Sequence, residues 1–211
     1  MKKLSRGALI VLEGLDGSGK TTLAKLLAQR MEVAGYPVVL TKEPGATTFG
    51  SEIRKILNFA EFPIVPRAEL FLYAADRAQH IAEIVKPALV TSKLVISDRM
   101  ADSTRAYQGF GRNLDKDMIE SIINLALDGV KPDLIFYCVV DVDTAQKRSA
   151  KRAKLSRFER EDRAFHERVL LGFETLFAGR SDVIRLDMHM SIEEVAELAY
   201  QNLTQWLVAR G

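Results

Sequence analysis

The stretch GLDGSGKT, Gly14 to Thr21, follows the apolar run ALIVLE and precedes LAKLLAQRM, in which Leu23, Leu26, Leu27 and Met31 recur at helical period. A glycine turn between a buried strand and an amphipathic helix leaves the chain few uses for it. Gly14, four further residues, Gly19, Lys20 and Thr21 form the pattern in which backbone N–H groups converge on phosphate oxygens, a lysine adds a point charge at the β and γ phosphates, and a hydroxyl reaches Mg²⁺. The helix that starts there turns its positive end toward the same place. A plain turn would need neither the Lys-Thr pair nor the buried strand. The run Gly14, Leu15, Asp16, Gly17, Ser18, Gly19, Lys20, Thr21 and Thr22 is therefore read as holding the phosphates of ATP or a similar donor.

Four more β-branched or apolar runs stand along the chain: PVVLT near Val38, KLVISD near Val95, LIFYCVVDV from Leu134 and DVIRLD near Ile184. Between them lie segments of helical period, such as Met118, Ile119, Ile122, Ile123, Ala126 and Leu127. Ser191 with Glu194 predicts a capping box, followed by an apolar stripe of Val195, Leu198, Ala199, Leu203, Trp206 and Leu207. Strands alternating with helices imply right-handed crossovers and a parallel sheet covered on both faces. The expectation is an α/β, doubly wound, five-stranded parallel sheet in one domain spanning residues 1–211.

Composition removes several function classes. Thirty basic against 28 acidic side chains leave a net charge of +2, without the global field of a nucleic-acid binder. No apolar run approaches the ~20 residues of a membrane helix. The start MKKLSRGALIVLEG has a basic end and a short apolar run, but it leads into the glycine loop without a small-residue cleavage site, which argues against a secretory leader. Cys138, the single cysteine, has no internal partner and reads as a small buried hydrophobe, in keeping with a cytoplasmic protein.

The run VISDRM puts Asp98 and Arg99 at the carboxyl edge of the predicted sheet, where open α/β folds bind ligands. An acid after a strand is often only a helix cap. Beside Lys20 and Thr21, Asp98 is the natural second Mg²⁺ partner, and the planar fork of Arg99 suits an acceptor phosphate.

Taken in order, LEGLDGSGKTT, TKEPG with GSEIRKIL, LYAADRAQH, KPAL, VISDR, DSTRAYQGFGR, KPDLIFYCVVDV and KRSAKRAKLSRFE resemble the thymidylate kinases over nearly the whole chain. The resemblance implies phosphorylation of dTMP to dTDP by ATP with Mg²⁺ as cofactor, the sheet order of nucleoside monophosphate kinases, and a homodimer without nucleic-acid or membrane partners. It implies that Tyr73 stacks on the thymine and Arg77 reads a ring carbonyl. Tyr107 would lie beneath the deoxyribose, where a ribose 2′-hydroxyl would be crowded out, with Ser103, Thr104 and Gln108 on the same helical face. Arg54 and Arg99 would hold the dTMP phosphate, Glu43 would stand in the loop above metal and acceptor, and Asp16 would contact the sugar 3′-hydroxyl, so that a bulky 3′ group would push on the loop. Periodicity alone reads Tyr73 as a core aromatic and Arg77 as a surface charge.

Lys147, Arg148, Lys151, Arg152, Lys154 and Arg157 crowd the stretch QKRSAKRAKLSRFERED, which on composition alone is a solvated face or a nucleic-acid patch. By resemblance it is a lid, near residues 147–160, whose Arg148 or Arg152 meets the transferring phosphoryl group, since the loop position after Asp16 is Gly17 and carries no charge. An acceptor phosphate carries about −1.5 to −2 charge and attacks without a general base, so His80, His166 and His189 are read as structural. Two rivals remain open at this level: a kinase for another deoxynucleotide or for a nucleoside, with Glu43 as its base, and a nucleotide-dependent switch with no acceptor.

Overall fold

The computed structural model describes residues 4–151 and 153–210. From the amino end, β1 (Ala8–Glu13) runs through the phosphate loop into α1 (Lys20–Val33), and β2 (Val38–Lys42) is followed by α2 (Thr48–Phe59) and α3 (Pro66–His80). A π-helical turn, Ile81–Val85, carries α3 into α4 (Lys86–Val90), and β3 (Leu94–Asp98) leads to α5 (Ala101–Thr104). A second π-helical segment, Arg105–Gly111, precedes α6 (Lys116–Leu127). The chain ends with β4 (Leu134–Val139), α7 (Val142–Ser149), α8 (Arg163–Phe177), β5 (Val183–Asp187) and α9 (Ile192–Arg210).

The five strands form one sheet in the order β2-β3-β1-β4-β5, and each pair of neighbours is parallel. All five predicted runs are strands. Every residue of β1 is buried, as is nearly all of β3 and β4, whereas the edge strands β2 and β5 are only partly covered. That gradient is what continuous apolar runs at the centre and mixed runs at the edges dictate. In register, Leu12 lies between Asp98 of β3 and Phe136 of β4, so the phosphate loop leaves β1 beside Asp98.

Side-chain oxygens start the helices where the sequence turns polar. Thr47, Asp115, Asp141 and Asp162 each accept from the amide three residues on. Ser191 and Glu194 close the predicted capping box, the Glu194 amide donating to Ser191 Oγ at 3.3 Å and the Ser191 amide to Glu194 Oε2 at 3.0 Å. The stripe of α9 is rotated slightly from expectation: Val195, Ala196, Ala199, Leu203 and Leu207 are buried, while Leu198 faces solvent.

The segment DSTRAYQG is not one regular α-helix. Ala101–Thr104 is α-helical and Arg105–Gly111 is wound as a π-helix, which shifts the face presented by Tyr107 and Gln108. Tyr107 rests on an aromatic floor made by Phe158, Phe165 and Phe173, at centroid distances of 5.9, 6.2 and 6.2 Å. The core thus ends directly beneath the carboxyl edge of the sheet.

Candidate active site

The phosphate loop is shaped by glycines that cannot be exchanged. Gly14 has φ 144° and a β-carbon there would lie 2.6 Å from the Cys138 carbonyl oxygen. Gly17 has φ 82°, and its β-carbon would lie 2.1 Å from the carbonyl oxygen of Ala145 in α7. Any side chain at position 17, arginine included, would therefore drive α7 off the loop. Lys20 Nζ donates to the carbonyls of Gly14 and Leu15 at 2.9 and 2.6 Å and to Ser18 Oγ at 3.1 Å. Burial, seconded by the Arg99 charge, pushes the Lys20 ammonium down to about 8. Bound phosphates would raise it again, so above about pH 8 the free protein lacks a proton that the complex holds. ATP affinity is expected to fall as pH rises through that region, with uptake of up to about one proton per ATP in calorimetry across buffers of different ionisation enthalpy; Lys20→Arg should abolish the uptake.

Arg99 organises the adjoining corner. It follows β3 with φ 76°, a left-handed conformation uncommon for a long side chain, and its amide donates to the Leu12 carbonyl at 2.9 Å. One guanidinium nitrogen donates to the Gly14 carbonyl at 2.8 Å and Ser103 Oγ at 2.7 Å, the other to Asp16 Oδ1 at 2.8 Å and the Tyr107 hydroxyl at 3.3 Å. The Tyr107 hydroxyl accepts from the Asp16 amide at 2.9 Å and donates to Asp16 Oδ2 at 3.1 Å. Burial alone would raise the Asp16 carboxyl, but the charges of Arg99 and Lys20 overcome it and hold the group well below the ordinary carboxylate range. Beneath them Glu13, fully buried at the end of β1, accepts from the Met100 and Ser103 amides at 2.9 and 3.1 Å and from the Ser103 hydroxyl. Burial and the neighbouring Asp102 raise its carboxyl to about 7.

On the far side a cavity of about 260 Å³ is bounded by α2, α3, the π-helical segment and the Ser156–Glu159 stretch. Arg77 is 1% exposed, its Nε donating to Glu43 Oε2 at 2.8 Å and one terminal nitrogen to the Met100 carbonyl and Thr104 Oγ1, both at 3.0 Å. Its other terminal nitrogen is buried without a partner, on a residue that lines this cavity. Gln108 donates to Glu69 Oε1 at 2.9 Å, and Tyr73 stands 6.0 Å from the Phe158 ring. Arg77 is thus no surface charge, as periodicity alone would have it.

The Glu43 carboxylate is used up on both oxygens. Oε2 takes Arg77, and Oε1 pairs with His80 Nδ1 at 2.8 Å, whose Nε2 meets Thr41 Oγ1 at 2.7 Å. Burial would raise this carboxyl, but Arg77 and His80 hold it below its ordinary value. Glu43 is built to hold Arg77 in place, which leaves it poorly placed to serve as a base. Arg54 donates to the Pro44 carbonyl at 2.7 Å and supports the same loop, with the Gly45 amide held by Asp76 Oδ1 at 2.8 Å.

A smaller cavity of about 180 Å³ lies over the phosphate loop, walled by Lys20, Thr21, Thr22, Lys42 and Asp98. Asp16, Glu43, Arg54 and Arg99 line both cavities. Thr21 Oγ1 donates to Asp98 Oδ2 at the junction. Two hard oxygens there fit Mg²⁺, which keeps several waters and binds through one or two protein groups plus substrate phosphates. Among the described residues no trio of His, Cys, Asp or Glu builds a self-sufficient metal cage.

The arginines expected in a lid stand apart. Arg148, in the last turn of α7, donates to the Met188 carbonyl at 2.9 Å and lines neither cavity. Arg152 lies outside the described residues. No sequence motif marks Glu13, Glu69, Asp76 or His80 as part of the site. Glu69, wholly buried, takes Gln108, both Arg112 Nε and Nη2, and Arg157 at 3.3 Å. The signal was present: Glu69, Tyr73, Arg77 and His80 recur at steps of four, four and three, one face of α3. Among the described residues no helix is long and apolar enough to cross a membrane.

The sequence profile of the family described as thymidylate kinase matches residues 12–199. A thymidylate kinase from an Exiguobacterium species is 40% identical over 205 residues, 94% of this chain and 97% of that protein. One from Halothermothrix orenii is 41% identical over 206 residues, 96% and 99% of the two chains, and one from Pelotomaculum thermopropionicum is 46% identical over 175 residues, 82% and 81%. A match that runs from the end of β1 into α9, on relatives aligned over most of their own length, leaves one conclusion: the chain belongs to the thymidylate kinase family.

Proposed function

We infer that the chain is a dTMP kinase that moves the γ-phosphoryl group of ATP onto the phosphate of dTMP, giving dTDP for dTTP synthesis, with Mg²⁺ as cofactor. One observation carries the reading: two cavities, one over a phosphate loop and one with an aromatic wall and a buried arginine, share Asp16, Glu43, Arg54 and Arg99. Transfer between two phosphates needs such a junction and little else, since positioning and charge neutralisation supply most of the rate. The loop amides and Lys20 hold the donor phosphates, Arg99 and Arg54 hold the acceptor phosphate, and Asp16 accepts from the sugar 3′-hydroxyl. Arg77 offers its unpaired nitrogen to a thymine carbonyl while Tyr73 covers the ring. Thr21 and Asp98 would hold Mg²⁺ through oxygen, and the ion would supply charge neutralisation at the donor phosphates. Arg148 and Arg152 belong to a lid near residues 147–160, and use of Arg148 in transfer requires its side chain to leave the Met188 carbonyl for the donor. The protein works as a homodimer, for which Phe71 on α3 and Leu125 on α6, 58% and 84% exposed on helices packed together, offer apolar surface.

A panel of nucleoside monophosphates with ATP and Mg²⁺ tests the reading. ADP should form rapidly with dTMP and slowly with the others, and ribothymidine monophosphate should be poor because Tyr107 fills the space below the sugar. Tyr107→Phe should keep most of that discrimination and Tyr107→Ala should relax it. Equal rates with ribothymidine monophosphate and dTMP in the native protein would contradict the pocket assignment.

A further inference from the structure

Between the phosphate loop, α7 and α8 lies a chamber of about 170 Å³ that neither phosphate site uses. Leu15, Val142, Ala145 and Leu155 give it apolar walls. Ser149 Oγ and His166 Nε2 interrupt them, each on a residue 5% exposed and each without a hydrogen-bond partner. A buried polar atom left unpaired is costly, so a chamber holding two such atoms suits an occupant that pairs with them.

The chemistry of that occupant follows from the walls. His166 is hydrogen-bonded to the Glu161 backbone, and desolvation keeps its ring neutral, which leaves Nε2 as an acceptor. The Ser149 hydroxyl donates or accepts. A neutral O–H group satisfies both atoms, and a hydrocarbon satisfies neither. An anion would face the Nε2 lone pair and the carboxylates of Asp16 and Glu159, which line this chamber and the acceptor cavity alike.

We propose that the chamber is a side pocket of the acceptor site that admits thymidine monophosphates carrying a short hydroxyl-bearing branch at the sugar 3′ carbon, the hydroxyl lodging between Ser149 and His166. This rests on the assignment of Asp16 to the 3′ edge of the sugar. Asp16 and Glu159 line both spaces, so a branch at that carbon is directed toward an existing chamber rather than into the phosphate loop.

The test compares dTMP with its 3′-hydroxymethyl and 3′-ethyl analogues, isosteres that differ in one O–H. By calorimetry the hydroxymethyl compound should bind the native protein within about threefold of dTMP and the ethyl compound about tenfold or more weaker. Ser149→Ala and His166→Phe should shrink that difference to less than about threefold while leaving dTMP affinity unchanged. As a readout free of folding effects, the imidazole ¹⁵N shift of His166 in the native protein should move with the hydroxymethyl compound and stay fixed with dTMP or the ethyl compound. Two equally weak analogues, or a His166 signal indifferent to all three, would overturn the proposal and leave the chamber as a site for water only. If dTMP itself failed to bind, the acceptor assignment would fall, an outcome distinct from failure of the side pocket alone.

Discussion

Arg99→Ala is expected to lower kcat/KM for dTMP by about 10³-fold or more, with dTMP affinity falling further than ATP affinity. The guanidinium makes four hydrogen bonds, to Gly14, Ser103, Asp16 and Tyr107, and it lines both cavities. Its loss would remove the planar fork that we propose for the acceptor phosphate. It also leaves Asp16, now held far below its ordinary carboxyl value by Arg99 and Lys20, facing the incoming dianion without its larger counter-charge. Arg99→Lys restores a charge but not the fork, and should recover only a small part of the loss. Equal weakening of dTMP and ATP would contradict the separate roles of the two cavities.

Lys20→Ala should reduce turnover by about 10²- to 10³-fold, with dTMP affinity nearly unchanged. The ammonium is turned inward onto the Gly14 and Leu15 carbonyls and Ser18, so the role we propose for it would require it to leave these partners for the donor phosphates. Single-turnover measurements at saturating ATP separate the chemical step from binding. A variant that binds ATP weakly yet transfers at the native rate once saturated would show that Lys20 serves binding alone.

The sheet was legible because central parallel strands are buried on both faces and must read as continuous apolar runs, which β1, β3 and β4 do. The phosphate loop was legible because its chemistry is local: Gly14, Gly19, Lys20 and Thr21 lie within one turn of chain. What sequence reading missed is non-local. Glu43 reads as an acid in a loop, and only the packing of β2 against α3 reveals that Arg77 and His80 consume both of its oxygens. Glu13 looks like the polar end of a strand until α5 folds back and presents the Met100 and Ser103 amides to it. The π-helical winding at Arg105–Gly111 accompanies the packing of Tyr107 on Phe158, Phe165 and Phe173, a non-local contact that no helical period records. In the sequence Gly17 is simply the absence of a loop arginine, whereas the Ala145 carbonyl, 2.1 Å from where a β-carbon would stand, supplies a steric reason for that absence.

Asp16, Glu43, Arg54 and Arg99 line both cavities, an arrangement from which we infer that phosphate passes directly between two bound nucleotides. A linear oligophosphate joining adenosine to thymidine through their 5′ oxygens tests this in one titration. One equivalent should displace both ATP and dTMP, bind at least about 100-fold tighter than either, and lose most of that gain in Arg99→Ala. Displacement of only one nucleotide, or affinity no better than that of ATP alone, would contradict the account.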